Sequence, residues 1–229
     1  MSFEVRGGEI VGIAGVAGNG QTELLEALSG IRHPSRGEIM VRGQRVLDPA
    51  QAREQKVAHV PEDRLRMGLV RGFPAWENAI LGYQVSDEYA AGGFLRRLHI
   101  VKLCREWMGD YDVRPREPQL EATSFSGGNQ QKLVIARELE HEPDLLLVGQ
   151  PTRGVDIGAI EFIHKRLVAM RDAGKAVLVV SVELDEILSL CDRILVMFDG
   201  HLTGELAQTE ADERKDGLLM AGITDREAA

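Results

Sequence analysis

Apolar and polar positions along the chain follow two periods in turn. Residues 2 to 14 alternate and then become continuously apolar at Ile10, Val11, Ile13 and Ala14, the pattern of a strand entering a sheet covered on both faces. From Gln21 the apolar positions Leu24, Leu25 and Leu28 recur at helical spacing until Gly30, which predicts a helix closed by a glycine. Glu38 to Val41 and Gln44 to Leu47 flank Arg42-Gly43 as a hairpin would, and Asp48 is placed to cap a short helix through Gln55. Lys56 to Val60 reads as a strand broken by Pro61-Glu62-Asp63.

From Phe73 to Glu140 the chain turns helical, with Leu98 to Met108 carrying an apolar helical face that includes Trp107; Trp76 and Trp107 are expected as core anchors. Alternation then returns. Leu145 to Val148, Ala176 to Val180 and Ile194 to Phe198 are predicted strands, separated by helices over Gly158 to Ala173 and Glu183 to Leu190. Asp199-Gly200 turns into an edge strand at His201 to Leu206, and a charged helix is expected from Thr209 to near Gly222, with residues 223–229 a fraying tail. The order implies a mainly parallel α/β sheet over 1–72 and 141–222, an antiparallel β piece near 37–47 and an inserted helical subdomain over about 73–140, all in one domain of 229 residues.

Between the first strand and the first helix stands GVAGNGQT, Gly15 to Thr22. The pattern G-x-x-x-x-G-K-[ST] uses glycines so that backbone N–H groups can curl around phosphates, a lysine for the terminal phosphates and a hydroxyl for Mg²⁺. Gly15, Gly18, Asn19, Gly20 and Thr22 stand in this loop, and Gln21 occupies the lysine position. Downstream, Ser126-Gly127-Gly128-Asn129 opens a helix with glycines and a serine hydroxyl, an anion site by geometry.

Composition narrows the partners. With 27 basic against 36 acidic residues the formal net charge is −9, and no dense Lys/Arg block appears, so a nucleic-acid footprint is not expected. No apolar run approaches the ~18 residues of a membrane span, and no signal peptide precedes the first strand, which points to a cytoplasmic chain. Cys104 and Cys191 lie far apart, the six histidines are scattered, and reduced structural thiols rather than a metal cluster are the reading. His164 and His201 are expected at the surface. Asp185-Glu186 reads as a solvated helix face with dipole complementarity, since adjacent helical residues diverge by about 100°.

Taken in order, the glycine loop, the SGGN turn, an apolar strand and PTRGVD resemble the ATP-binding domain of an ABC transporter. EDRLRMGLV, SGGNQQKLVIAREL, QPTRGVDIGA and LDEILSLCDRI are similar to the second, C-terminal nucleotide-binding half of the tandem ATPase subunits serving simple-sugar and nucleoside importers. The resemblance runs from about Ser2 to Gly222 and implies an ABC ATPase fold, an excised half without the adenine-stacking aromatic of an upstream strand, and Phe3 as a core residue. As partners it implies the N-terminal half, transmembrane permease subunits and, indirectly, a solute-binding protein. Location would be peripheral to the inner face of the cell membrane. Arg64, Met67 and Trp76 are the candidate permease contacts.

Measured against that family pattern, the chain departs wherever Mg²⁺ or the γ-phosphate would be met. Gln21 replaces a full positive charge; Gly149 and Gln150 stand where Asp and Glu would support Mg²⁺ and activate water. Glu62 stands where a glutamine is usual and would repel triphosphate, and Val182 replaces the switch histidine. The resemblance therefore implies weak ATP or ADP binding at Gly15, Gly18, Asn19, Gly20, Gln21 and Thr22, with Thr22 the lone Mg²⁺ candidate and little or no hydrolysis by the isolated domain. Ser126 to Asn129 would complete the partner half's ATP site, with Asp156 in the D-loop position crossing the same interface. Two alternatives stand beside it: an ATPase active by itself as a homodimer, and a structural module that binds no nucleotide. For Gly15 to Thr22 the plainer reading is a glycine turn kept for geometry; for Ser126 to Asn129, a helix cap; for Glu62 and Gln150, solvated loop residues.

Overall fold

The computed structural model describes residues 1 to 210, so the charged helix expected toward Gly222 and the 223–229 tail lie outside the described residues. The first strand, β1, is confined to Ile10–Ala14 and wholly buried. The alternating stretch before it forms no strand, because pairing on both edges of β1 begins only at Ile10 and Val11. Helix α1 (Gln21–Leu28) starts from Gly20, whose φ of 103° is left-handed and suits a residue without a β-carbon. The hairpin shrinks to β2 (Met40–Val41) and β3 (Gln44–Arg45), a separate two-stranded sheet. Asp48 caps α2 (Pro49–Glu54), its carboxylate accepting from Gln51 N at 2.9 Å. Strand β4 (Val57–Val60) follows as expected.

Where a plain loop was expected after β4, Arg64–Gly68 winds into a π-helical turn, with the Asp63 carboxylate accepting from Leu65 N and Arg66 N. A short helix α3 (Ala75–Asn78) and a two-residue hairpin, β5 (Ala90–Ala91) with β6 (Phe94–Leu95), come next. The hairpin had no signal in a segment read as helical. Helix α4 (Arg97–Asp110) buries Ile100, Cys104, Trp107 and Met108, an i, i+4, i+7, i+8 stripe, while Leu98 is 88% exposed and falls off the predicted face. Helix α5 spans Gly127–Leu139, β7 Leu145–Gly149, α6 Ile157–Asp172 and β8 Ala176–Ser181. The described chain ends with α7 (Leu184–Leu190), β9 (Arg193–Phe198), β10 (His201–Ala207) and a 3₁₀ turn at Gln208–Glu210.

The main sheet has the order β10-β9-β1-β8-β7-β4, parallel except for the antiparallel edge strand β10. Register aligns Ala14 with Ser181, Gly149 with Val180 and Val60 with Val148, so these strands end together on one side. Ligands of open α/β sheets bind beyond such carboxyl ends, and the glycine loop issues from a central strand there. Val11, Ile13, Leu25, Leu147, Val180 and Leu195 form the core beneath it.

By contacts the chain divides into two compact units. One comprises Met1–Glu62, Asp144–Pro151 and the chain from His164, and holds the main sheet; the other comprises Asp63–Pro143 and Thr152–Ile163. Inside the second unit α5 is buried along nearly its whole length, including the adjacent pair Arg137 and Glu138 at 2.7 Å. Arg137 also donates to Gly68 O and Asn78 O, and Tyr83 donates to Glu138, so the charges are enclosed by partners. Trp76 and Trp107 are both buried, as core anchors should be; burial removes Trp76 from the exposed contacts expected of it.

Candidate functional site

Four chain segments meet at the carboxyl end of the main sheet: the glycine loop after β1, Pro61-Glu62 after β4, Gly149-Gln150 at the end of β7 and Val182 after β8. Gln21 is 3% exposed and turns back into its own loop, its Oε1 accepting from Asn19 N at 3.0 Å and its Nε2 donating to Val16 O at 2.9 Å. A β-carbon on Gly15 would stand 2.5 Å from that Nε2, so the glycine leaves the room that the folded-back amide occupies. Asn19 ties the loop to the β9–β10 turn: its side chain accepts from Asp199 N at 3.0 Å and its carbonyl from Gly200 N at 2.9 Å. Asp199-Gly200 reads from sequence as an ordinary turn, and nothing in its pattern signalled this brace.

Thr22 donates its hydroxyl to Glu62 Oε2 at 2.6 Å. Glu62 is half-buried, not a solvated loop residue, and its Cγ lies 2.5 Å from where a β-carbon on Gly149 would stand. The side chain thus passes over the glycine and delivers its carboxylate to the first turn of α1. Gln150 is also no solvated residue: at 9% exposure and with φ at 48°, it accepts from Val182 N at 3.4 Å through its side-chain oxygen. The general-base position and the switch-histidine position are therefore joined by an amide and a backbone N–H, neither of which can take a proton at neutral pH.

Thr22 Oγ1 and the Glu62 carboxylate are hard oxygen donors of the kind Mg²⁺ uses alongside phosphates and water. The donor set fits that ion as a partner of bound nucleotide. Among the described residues no group of three or more His, Cys, Asp or Glu gathers around a point, so phosphate and water would have to complete the shell.

In the second unit Ser126 caps α5 and is exposed, while Gly128 is buried. Asn129 Nδ2 donates to Ser126 Oγ at 2.9 Å and Asn129 Oδ1 accepts from Arg114 N at 2.8 Å, which fixes the turn from both sides. Arg64 lies behind it, donating to Arg153 O at 2.8 Å, to Gly154 O at 3.3 Å and to Gln130 Oε1 at 3.4 Å. Burial lowers the guanidinium's pKa, and the side chain expected as a permease contact is occupied inside its own unit. Asp156 Oδ1 accepts from Ala159 N at 2.9 Å, capping α6, and its Oδ2 faces Gly128 at the point where a β-carbon would be 2.9 Å away. Met67 is 38% exposed.

The remaining sequence readings divide. His201 is exposed, as expected. His164 instead contacts Glu186 Oε1 at 2.9 Å, and Glu186 is 6% exposed with Oε2 buried and without a hydrogen-bond partner. The solvated-face reading of Asp185-Glu186 fails at Glu186, because α7 lies against β1 and turns that position inward.

The ABC transporter family model matches residues 1–153. The guanosine import ATP-binding protein NupO of Bacillus subtilis is 47% identical over 230 residues, covering 100% of this chain and 45% of NupO. The nucleoside import ATP-binding protein NupA of Lactococcus lactis is 48% identical over 224 residues, covering 97% of this chain and 44% of NupA. The chain thus spans less than half the length of these relatives. Among solved structures, the dimeric bacterial ABC transporter cassette MJ0796 superposes with a TM-score of 0.76 at 24% identity, over 90% of this chain and 88% of that one. No helix of the described residues is long and apolar enough to cross a membrane. The fold and the family match together make this chain a member of the ABC transporter family, as an ATP-binding domain.

Proposed function

We propose that the chain is the second, C-terminal nucleotide-binding half of a tandem importer ATPase for nucleosides or simple sugars. Its own phosphate loop holds ATP or ADP weakly and does not hydrolyse it. Its signature turn, Ser126 to Asn129, completes the ATP site of the N-terminal half, with Asp156 at the same junction. Transmembrane permease subunits are the further partners, and a solute-binding protein delivers the solute; the chain works at the inner face of the cell membrane. The printed functions of the relatives and the fraction of their length that the chain spans support this reading.

The observation that carries it is the Gln150–Val182 contact, which leaves no proton acceptor where water would be activated, set beside an exposed and internally fixed Ser126 turn. In the reunited tandem protein, Ser126→Arg is expected to abolish ATP turnover, because a guanidinium would fill the space meant for a phosphate. Unchanged turnover defeats the proposal. Turnover by the isolated 229-residue chain, lost in Gln150→Ala, would establish the self-sufficient ATPase instead.

A further inference from the structure

The loss of a carboxylate at the end of β7 and the gain of one after β4 are one event in space. An aspartate at position 149 would project a methylene and a carboxylate toward the first turn of α1. Glu62 instead brings its own terminal methylene to that place: its Cγ lies 2.5 Å from the β-carbon position of Gly149, and its carboxylate accepts from the Thr22 hydroxyl at 2.6 Å. Leu25 Cδ1 and Glu62 N, at 2.7 and 3.0 Å from the same point, close the space to any side chain on residue 149 while Glu62 is present. The two positions are therefore mutually exclusive sources of one carboxylate.

We infer that Glu62 is the metal-side carboxylate of this phosphate loop, transferred from the end of β7 to the loop after β4, and that with Thr22 it confers divalent-cation dependence on nucleotide binding. This rests on the reading of Gly15 to Thr22 as a nucleotide site, and it reverses the expectation that Glu62 simply repels triphosphate. A carboxylate already bonded to the Thr22 hydroxyl holds that oxygen with its lone pairs free for a hard cation, and Mg²⁺ is commonly bound through one carboxylate together with phosphates and waters. The charge of Glu62 is then offset by the ion instead of opposing the nucleotide. Gln150 still offers no base, so the site retains its ligand and hydrolyses nothing.

Calorimetry of the 229-residue chain with a non-hydrolysable ATP analogue, in Mn²⁺ and in EDTA, tests this, with Mn²⁺ paramagnetic resonance as an independent readout of the ion. The wild-type chain is expected to bind about tenfold or more tighter with Mn²⁺ than without. Glu62→Gln should erase that dependence while preserving metal-free binding, and Glu62→Ala with Gly149→Asp should restore it; circular dichroism establishes that each variant is folded. Metal dependence that survives Glu62→Gln overturns the inference. So does binding that tightens equally in both buffers on Glu62→Gln, the signature of plain repulsion. Metal-independent binding by the wild-type chain overturns the inference and leaves the nucleotide site standing, whereas no binding under either condition removes both.

Discussion

Arg64 Nη2 lies 2.5 Å from the point where a β-carbon on Gly127 would stand, and Gly154 O lies 2.7 Å from the same point. The first contact can yield, because it is the end of a flexible side chain; the second is backbone and cannot. Gly127→Ala is therefore expected to destabilise the second unit by about 1–3 kcal/mol, the usual range for overpacking. On that background Arg64→Ala should cost less than on the wild type, since it relieves one of the two clashes. A double-mutant cycle in urea unfolding should return a coupling of ~0.5 kcal/mol or more. Strict additivity would mean that Arg64 does not press on the signature turn.

His141 makes the stability of the chain depend on pH in a stated direction. It accepts from or donates to Tyr89 at 3.1 Å and Arg137 O at 2.6 Å, stacks on Tyr83 at 3.5 Å between ring centroids, and burial pushes its pKa below the ordinary value. The unfolded chain then binds more protons than the folded one below pH ~6.5, so stability is present above that pH and declines as pH falls through it toward the folded value, by at most about 1.4 kcal/mol per pH unit for one site. Urea midpoints at neutral and mildly acidic pH should differ accordingly. His141→Gln should flatten the difference; an unchanged slope would assign it to other groups.

The fold was legible because its signals are local. Runs such as Ile10 to Ala14 and Ala176 to Val180 are long, apolar and bounded by glycine or polar turns, and the sheet they form is parallel. Motif positions were legible for the same reason, since each sits where a strand ends. What the sequence could not reveal were relations between distant segments. Glu62 and Gly149 read as two separate defects, yet their side-chain volumes are complementary across neighbouring strands β4 and β7. Arg64 looked available because no local pattern announces three carbonyl-type acceptors gathered from Gln130, Arg153 and Gly154. Glu186 looked solvated because adjacency to Asp185 says nothing about which of the two faces β1.

Arg137 and Glu138 form an ion pair with side chains 4% and 2% exposed. Removing one charge leaves the other buried without compensation, so Glu138→Leu is expected to cost about 3–5 kcal/mol. Arg137→Met combined with Glu138→Leu should cost less than that single change, because no charge then remains to be desolvated. Chemical denaturation of the three variants decides the order, and a double variant worse than Glu138→Leu would show that the bonds from Arg137 to Gly68 O and Asn78 O outweigh the pair itself.

Both cysteines are buried, and burial pushes the Cys104 thiol up to about 12 and the Cys191 thiol up as well, with the nearby carboxylates of Glu186 and Asp192 adding to the second shift. Neither forms thiolate at neutral pH, so maleimide should label them only through unfolding, at a rate that tracks denaturant concentration. Cys191 permits a sharper test, because its Sγ lies 2.6 Å from where a β-carbon on Gly12 would stand in the middle of β1. Gly12→Ala should lower stability by about 1–3 kcal/mol and expose Cys191 to label. Cys191→Ala on that background should recover part of the loss, although Ile187 Cγ2 at 3.0 Å prevents full recovery. Fast labelling of the native wild-type chain, or no rescue by Cys191→Ala, would contradict the packing of α7 onto the central strand that carries the phosphate loop.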